Sequence, residues 1–170
     1  MRQVFEMFAA YNAWANNELY EAAAELSDEE FGRDAGAFFK SMRGTLNHIL
    51  VADRIWMKRF TGRGEVPTSL AAIIHPNLAP LRIAREAEDT RISGWVAGLS
   101  DPELSGRFSY TTVSEMRTVS QRLAPALFHV FNHQTHHRGQ AHMILTSLGH
   151  RAPSLDLIAF QRTEIGRSFA

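Results

Sequence analysis

The chain of 170 residues has no cysteine. That excludes disulfides, thiolate-ligated zinc and a cysteine nucleophile together. Nor is there an excess of either charge, because 18 Lys and Arg balance 18 Asp and Glu. A protein built to hold nucleic acid usually carries a basic surplus, so no nucleic-acid partner is expected. No apolar run approaches the roughly 20 residues needed to cross a bilayer. Residues 1–12 lack the apolar segment and cleavage site of a signal peptide. The expectation is a cytoplasmic protein without a membrane partner. A Gly-rich phosphate loop and a Gly-x-Ser-x-Gly nucleophile elbow are also missing from the sequence.

What remains is a helical pattern. The length and a hydrophobic content of 45% suit one domain over residues 1–170 with a sizeable core. Val4, Phe8, Tyr11, Ala15, Leu19 and Ala22 recur at helical spacing and predict a first helix over 3–26. Ser27 is placed to cap a short turn. A second helix is predicted over 41–60, with Leu46, Ile49, Leu50, Ile55, Trp56 and Phe60 on its apolar side and Gly62 and Gly64 after it. Residues 61–78 hold two glycines and two prolines and read as a long connection. A third helix follows over 79–99, with Pro80 in its first turn. Ser100, Asp101 and Pro102 stop it or open another short turn. Residues 106–119 are rich in β-formers and predict a small hairpin, including Val113 and Met116. The fourth helix is predicted over 120–147 and ended by Gly149. Leu155, Leu157, Ile158 and Phe160 would dock the tail. The expected fold is all-α, a four-helix bundle with one long connection.

The chemistry concentrates in the fourth helix. Four of the eight histidines, His129, His133, His136 and His137, fall within nine positions. A four-residue step returns a side chain to nearly the same helix face, and two imidazoles so placed can grip one transition-metal ion. The pairs His129/His133 and His133/His137 have identical spacing, and His136 can flank the same face, so spacing alone leaves the choice open. A third ligand would come from a facing helix. His48, on the second helix, is flanked at three and four residues by Gly44, Thr45, Val51 and Ala52, whose modest size leaves room beside an imidazole. A lone histidine among apolar residues is more often a hydrogen-bonded core residue, and it is the unfilled pair opposite that raises its standing. Three imidazoles leave open positions on an ion, as a catalytic site does and a structural one does not. Asp53 reads as solvated or salt-bridged, with support of a metal ligand as the lesser alternative, Arg138 and Gln140 as caps or cross-links or as groups orienting a histidine or a substrate, and Trp14, Trp56 and Tyr11 as core. His75, His142 and His150 read as ordinary polar residues.

Residues 132–140, Asn-His-Gln-Thr-His-His-Arg-Gly-Gln, resemble the Asn-His-x-x-His-His-Arg-Gly-Gln pattern of the DinB family, the DinB/YfiT-like metalloenzymes. Residues 46–56, residues 11–16 and residues 153–157 also look like segments of that family, so the resemblance spans nearly the whole chain. It implies a four-helix bundle whose histidine triad falls on His48, His133 and His137. His129 then becomes a neighbour that supports or packs the helix, and His136 points elsewhere. The resemblance further implies a homodimer and one divalent ion, zinc or nickel first, manganese or iron next. The family is similar to thiol S-transferases and thiol-dependent isomerases. The expected activity is therefore metal-dependent transfer of a low-molecular-weight thiol to a small electrophile. The rival expectations are metal-assisted hydrolysis of a small molecule and a non-catalytic, stress-related metal-binding protein.

Overall fold

A computed structural model describes residues 1–112 and 117–170. In chain order it contains α1 (Arg2–Ala23), α2 (Asp28–Gly32), α3 (Met42–Thr61), α4 (Leu78–Ala97), α5 (Asp101–Ser105), β1 (Arg107–Thr111), β2 (Thr118–Arg122), α6 (Leu123–Ser147) and α7 (Leu157–Phe160). A last 3-10 turn spans Gly166–Phe169. The protein is mostly helical, and the four long helices are the four expected from periodicity. α1 packs on α4 and α6, and α3 packs on the same two.

Local chemistry sets the boundaries. Ser27 and Ser100 each form a reciprocal capping box with the glutamate three residues on, Glu30 and Glu103, which starts α2 and α5. Ser41 caps α3 by accepting from the Gly44 amide. Gly62 ends α3 in the left-handed conformation at φ 71°, where a side chain would be strained. The hairpin lies further along the chain than expected. Arg107 pairs with Arg122, and residues 120–122 belong to β2 rather than to the last long helix. Those residues, Ser-Gln-Arg, are equally at home at a helix start, so pairing with β1 decides. Val113 and Met116 lie outside the described residues. In the tail, Phe160 is buried against Tyr11 and Ala15 with Leu155 and Leu157 beside it, whereas Ile158 stands exposed and does not dock.

The core has three storeys. At one end Leu19, Phe31, Met42, Leu46, Leu50, Leu81 and Ile144 form an apolar cluster. At the other end Phe5, Met57, Ile92, Val96, Leu127 and Phe131 form a second. Between them lies a buried polar layer drawn from all four long helices. Arg85 on α4 pairs with Asp53 on α3 at 2.7 Å and with Asp89, one turn along α4, at 3.0 Å. Asn12 and Asn16 on α1 donate to Asp89 at 3.2 and 3.1 Å. Their carbonyl oxygens accept from Arg138 on α6. Two cations and two carboxylates thus share one dry layer and balance. Asp53 is salt-bridged, as one of its readings held, but not solvated, being 1% exposed. Burial works against the Arg85 charge, and the carboxylates of Asp89 and Asp53 outweigh it, so its pKa stands above the ordinary arginine value.

Candidate metal centre

The centre sits level with the polar layer, between α3 and α6. Nε2 of His48 lies 3.2 Å from Nε2 of His133 and 3.2 Å from Nε2 of His137. One ligand atom from each ring falls within 4.8 Å of the others. His48 and His137 are buried, and His133 is half-buried.

The protons on these rings are assigned by their partners. The Leu70 carbonyl can only accept, so the His48 Nδ1 at 2.9 Å must donate to it. His137 Nδ1 donates likewise to Oε1 of Gln140 at 2.9 Å, and the Gln140 amide nitrogen lies 3.1 Å from Nε2 of His136. With Nδ1 protonated in both rings, the Nε2 atoms of His48 and His137 present lone pairs to each other. Facing lone pairs at that distance repel unless a cation lies between them. His133 can bring one proton, which serves one contact well and not all three. Two ligands about 2.0–2.1 Å from a tetrahedral ion stand about 3.3 Å apart, which matches the 3.2 Å from His48 to each of the other two rings. Burial pushes the His48 imidazole down to about 4 and the His133 imidazole to about 3, with neighbouring histidines adding to the effect at His133. Burial lowers His137 as well. At neutral pH all three rings are neutral imidazoles, as ligation requires.

Several residues outside the triad hold it in place. Asn47, fully buried, clamps the long connection onto α3. Its Oδ1 accepts from the amides of Ile74 and His75, and its Nδ2 donates to the His75 carbonyl, each at 2.9 Å. That clamp tethers the segment whose Leu70 carbonyl meets His48. Phe39 stacks on the His48 ring at 3.7 Å between centroids and meets His137 edge-on at 5.6 Å. The space that Gly44 was expected to leave beside the imidazole is filled by this loop instead. A Cβ on Gly44 would lie 2.0 Å from the Phe39 carbonyl oxygen.

The structure brings together His48, His133 and His137 and leaves the other histidines out. His129 is exposed and packs on Trp56 at 5.1 Å and on His133 at 5.9 Å between centroids. His136 is exposed, its ring turned 77° from that of His137. His150 meets Glu30 at 3.3 Å. His75 serves through its backbone. A cleft of about 530 Å³ opens beside Tyr11, Arg138, His142 and Leu155, and none of the three converging histidines lines it. Of the readings of Arg138 the structure favours the cross-link, and Gln140 orients a histidine. Sequence reasoning missed Leu70 and Phe39. A carbonyl carries no side-chain signal, and Phe39 lies in a loop without periodicity.

A family model described as the DinB family matches residues 1–167. Protein DinB of Bacillus subtilis (strain 168) is 26% identical over 155 residues, covering 86% of this chain and 87% of that protein.

Proposed function

The chain belongs to the DinB family, and we propose that within it this protein is a metal-dependent enzyme that moves a low-molecular-weight thiol onto a small electrophile. The observation that carries the metal half is the convergence of three neutral Nε2 atoms from two helices, two of them with Nδ1 tied to an acceptor. A divalent ion held by His48, His133 and His137 would supply the positive charge that makes a bound thiol a thiolate at neutral pH. Three protein ligands leave room for that sulfur.

The chain's own residues divide the remaining work. The Leu70 carbonyl and Gln140 hold two rings in the tautomer that ligates and strengthen them as bases. Phe39 covers one flank of His48 and keeps water from it. In the transfer the thiol proton leaves to solvent. The sulfur pair forms the new carbon–sulfur bond, and the leaving group departs with the pair of the bond it breaks.

The test is to strip the protein, reload it with zinc or nickel, and follow conjugation of a small thiol to a chloronitrobenzene. The expected result is turnover that needs both metal and thiol and exceeds that of the free ion. Turnover no faster than the free ion overturns the transferase reading, and turnover that ignores the thiol replaces it with hydrolysis.

A further inference from the structure

Two turns along α3 from His48 stands Trp56, and three residues further Arg59. The Arg59 guanidinium carbon lies 4.5 Å from the Trp56 ring centroid and 4.5 Å from that of Tyr110 on β1. Side chains on a helix lean toward its amino terminus, so Arg59 is folded back toward the metal centre. Trp56 in turn meets His129, and His129 meets His133. A strip of rings therefore runs from the converging imidazoles to the cation.

Arg59 differs in its partners from Arg138. Arg138 also lies over a ring, that of Tyr11, but its nitrogens donate to Asn12 and Asn16. Among the described residues, Arg59 donates to no carbonyl, amide oxygen or carboxylate, and its contacts are the two rings. The rings hold the guanidinium and, among the described residues, leave the edge donors of its planar fork unpaired. That fork matches a carboxylate bidentately. The group is half-buried, and burial presses its pKa below the usual arginine value. An anion at the fork relieves that cost.

We infer that Arg59 is the anchor for a carboxylate at the far end of the small molecule whose near end meets the three-histidine centre, with Trp56 and His129 forming the wall between. Eleven residues of helix separate His48 from Arg59, about 16 Å of axis, and the backward lean of Arg59 shortens the gap to a ligand on the order of 10 Å long. The ligand class is an elongated molecule with a metal-binding head, an apolar middle and a carboxylate tail. This inference rests on the metal reading above and deepens it.

The experiment uses the cobalt(II)-loaded full chain, whose visible absorption changes when a ligand joins the metal. The probes are suberic acid monohydroxamate and its neutral carboxamide counterpart, which share head and length. The carboxylate probe should bind about tenfold more tightly than the amide. In Arg59→Gln that ratio should fall to near one with the amide's affinity unchanged. Arg59→Lys should keep part of it, since the point charge survives and the fork does not. A merely structural role for Arg59 would weaken both probes alike. Failure of the protein to hold cobalt overturns the metal reading and this inference with it. Cobalt bound with equal affinities for the two probes, or a preference unchanged in Arg59→Gln, overturns this inference alone.

Discussion

At the scale of single residues, the candidate centre depends on groups outside its three imidazoles. His48→Ala, His133→Ala and His137→Ala are each expected to lose most of the bound metal by elemental analysis of the purified protein, while His129→Ala and His75→Ala keep it. Retention in the first three would remove the triad assignment. Gln140→Ala removes the acceptor for His137 Nδ1. It should weaken metal affinity by about 10–100-fold in a chelator competition, since partners of ligating histidines carry effects of that size. Gln140 could be found from the sequence, because three residues after His137 is within reach on a helix. The choice among histidines was also legible, though only through the resemblance, because the His129/His133 and His133/His137 pairs are equivalent by spacing. The Leu70 carbonyl was not legible, since any residue type supplies the same oxygen.

At the scale of elements, helix starts and stops were readable where capping chemistry is explicit, as at Ser27, Ser41, Gly62 and Ser100. The hairpin was harder. Its second strand pairs only through β1, and no local signal marks where pairing yields to α6. The junction before α3 is tighter than the sequence implied. Gly44→Ala places a Cβ against the Phe39 backbone, which cannot swing aside as a side chain tip can. The loop must shift, and with it the ring stacked on His48. The expected cost is about 1–3 kcal/mol in urea unfolding, with a measurable loss of metal affinity. A loss of stability without a loss of metal affinity would separate the loop from the centre. At α2, the Ser27 amide first and the Ser27 hydroxyl second hold Glu30 down at about 2, from an ordinary 4.5. The folded-state pKa is depressed, so its contribution is complete above 4.5 and fades as pH falls toward 2. Glu30→Ala should be less stable than the parent at pH 7, and the gap should close between those limits. A gap independent of pH would deny the charge any part in the cap.

At the scale of the molecule, charged residues are packed where an amphipathic pattern calls for apolar ones. Arg85 and Arg138 are among the largest fully buried side chains. The sequence left Asp53 between a solvated and a salt-bridged role and carried no signal at Arg85 or Asp89, and only the assembly of four helices shows these charges to be one balanced layer. Arg85→Met would leave Asp53 and Asp89 buried without their counter-ion. Breaking a buried pair in this way costs about 3–5 kcal/mol, measurable by urea unfolding at neutral pH. Removing Asp53 and Arg85 together should cost less than the sum of the single changes. Additivity would mean that the two do not act as a unit. No helix among the described residues is long and apolar enough to cross a membrane.

Neighbouring residues of α6 join this layer to the candidate metal centre. Gln134 and Arg138 each follow a histidine of the triad by one position, a step that turns the side chain about 100° around the helix. One side of the rod is bolted to α1 by Arg138, and the adjacent one carries the imidazoles. Rolling α6 to spread the rings would tear the guanidinium from its amides. The fold itself holds the three rings together, so metal loading is expected to alter neither helix content nor the docking of α6, leaving the rings' own small adjustments as the response.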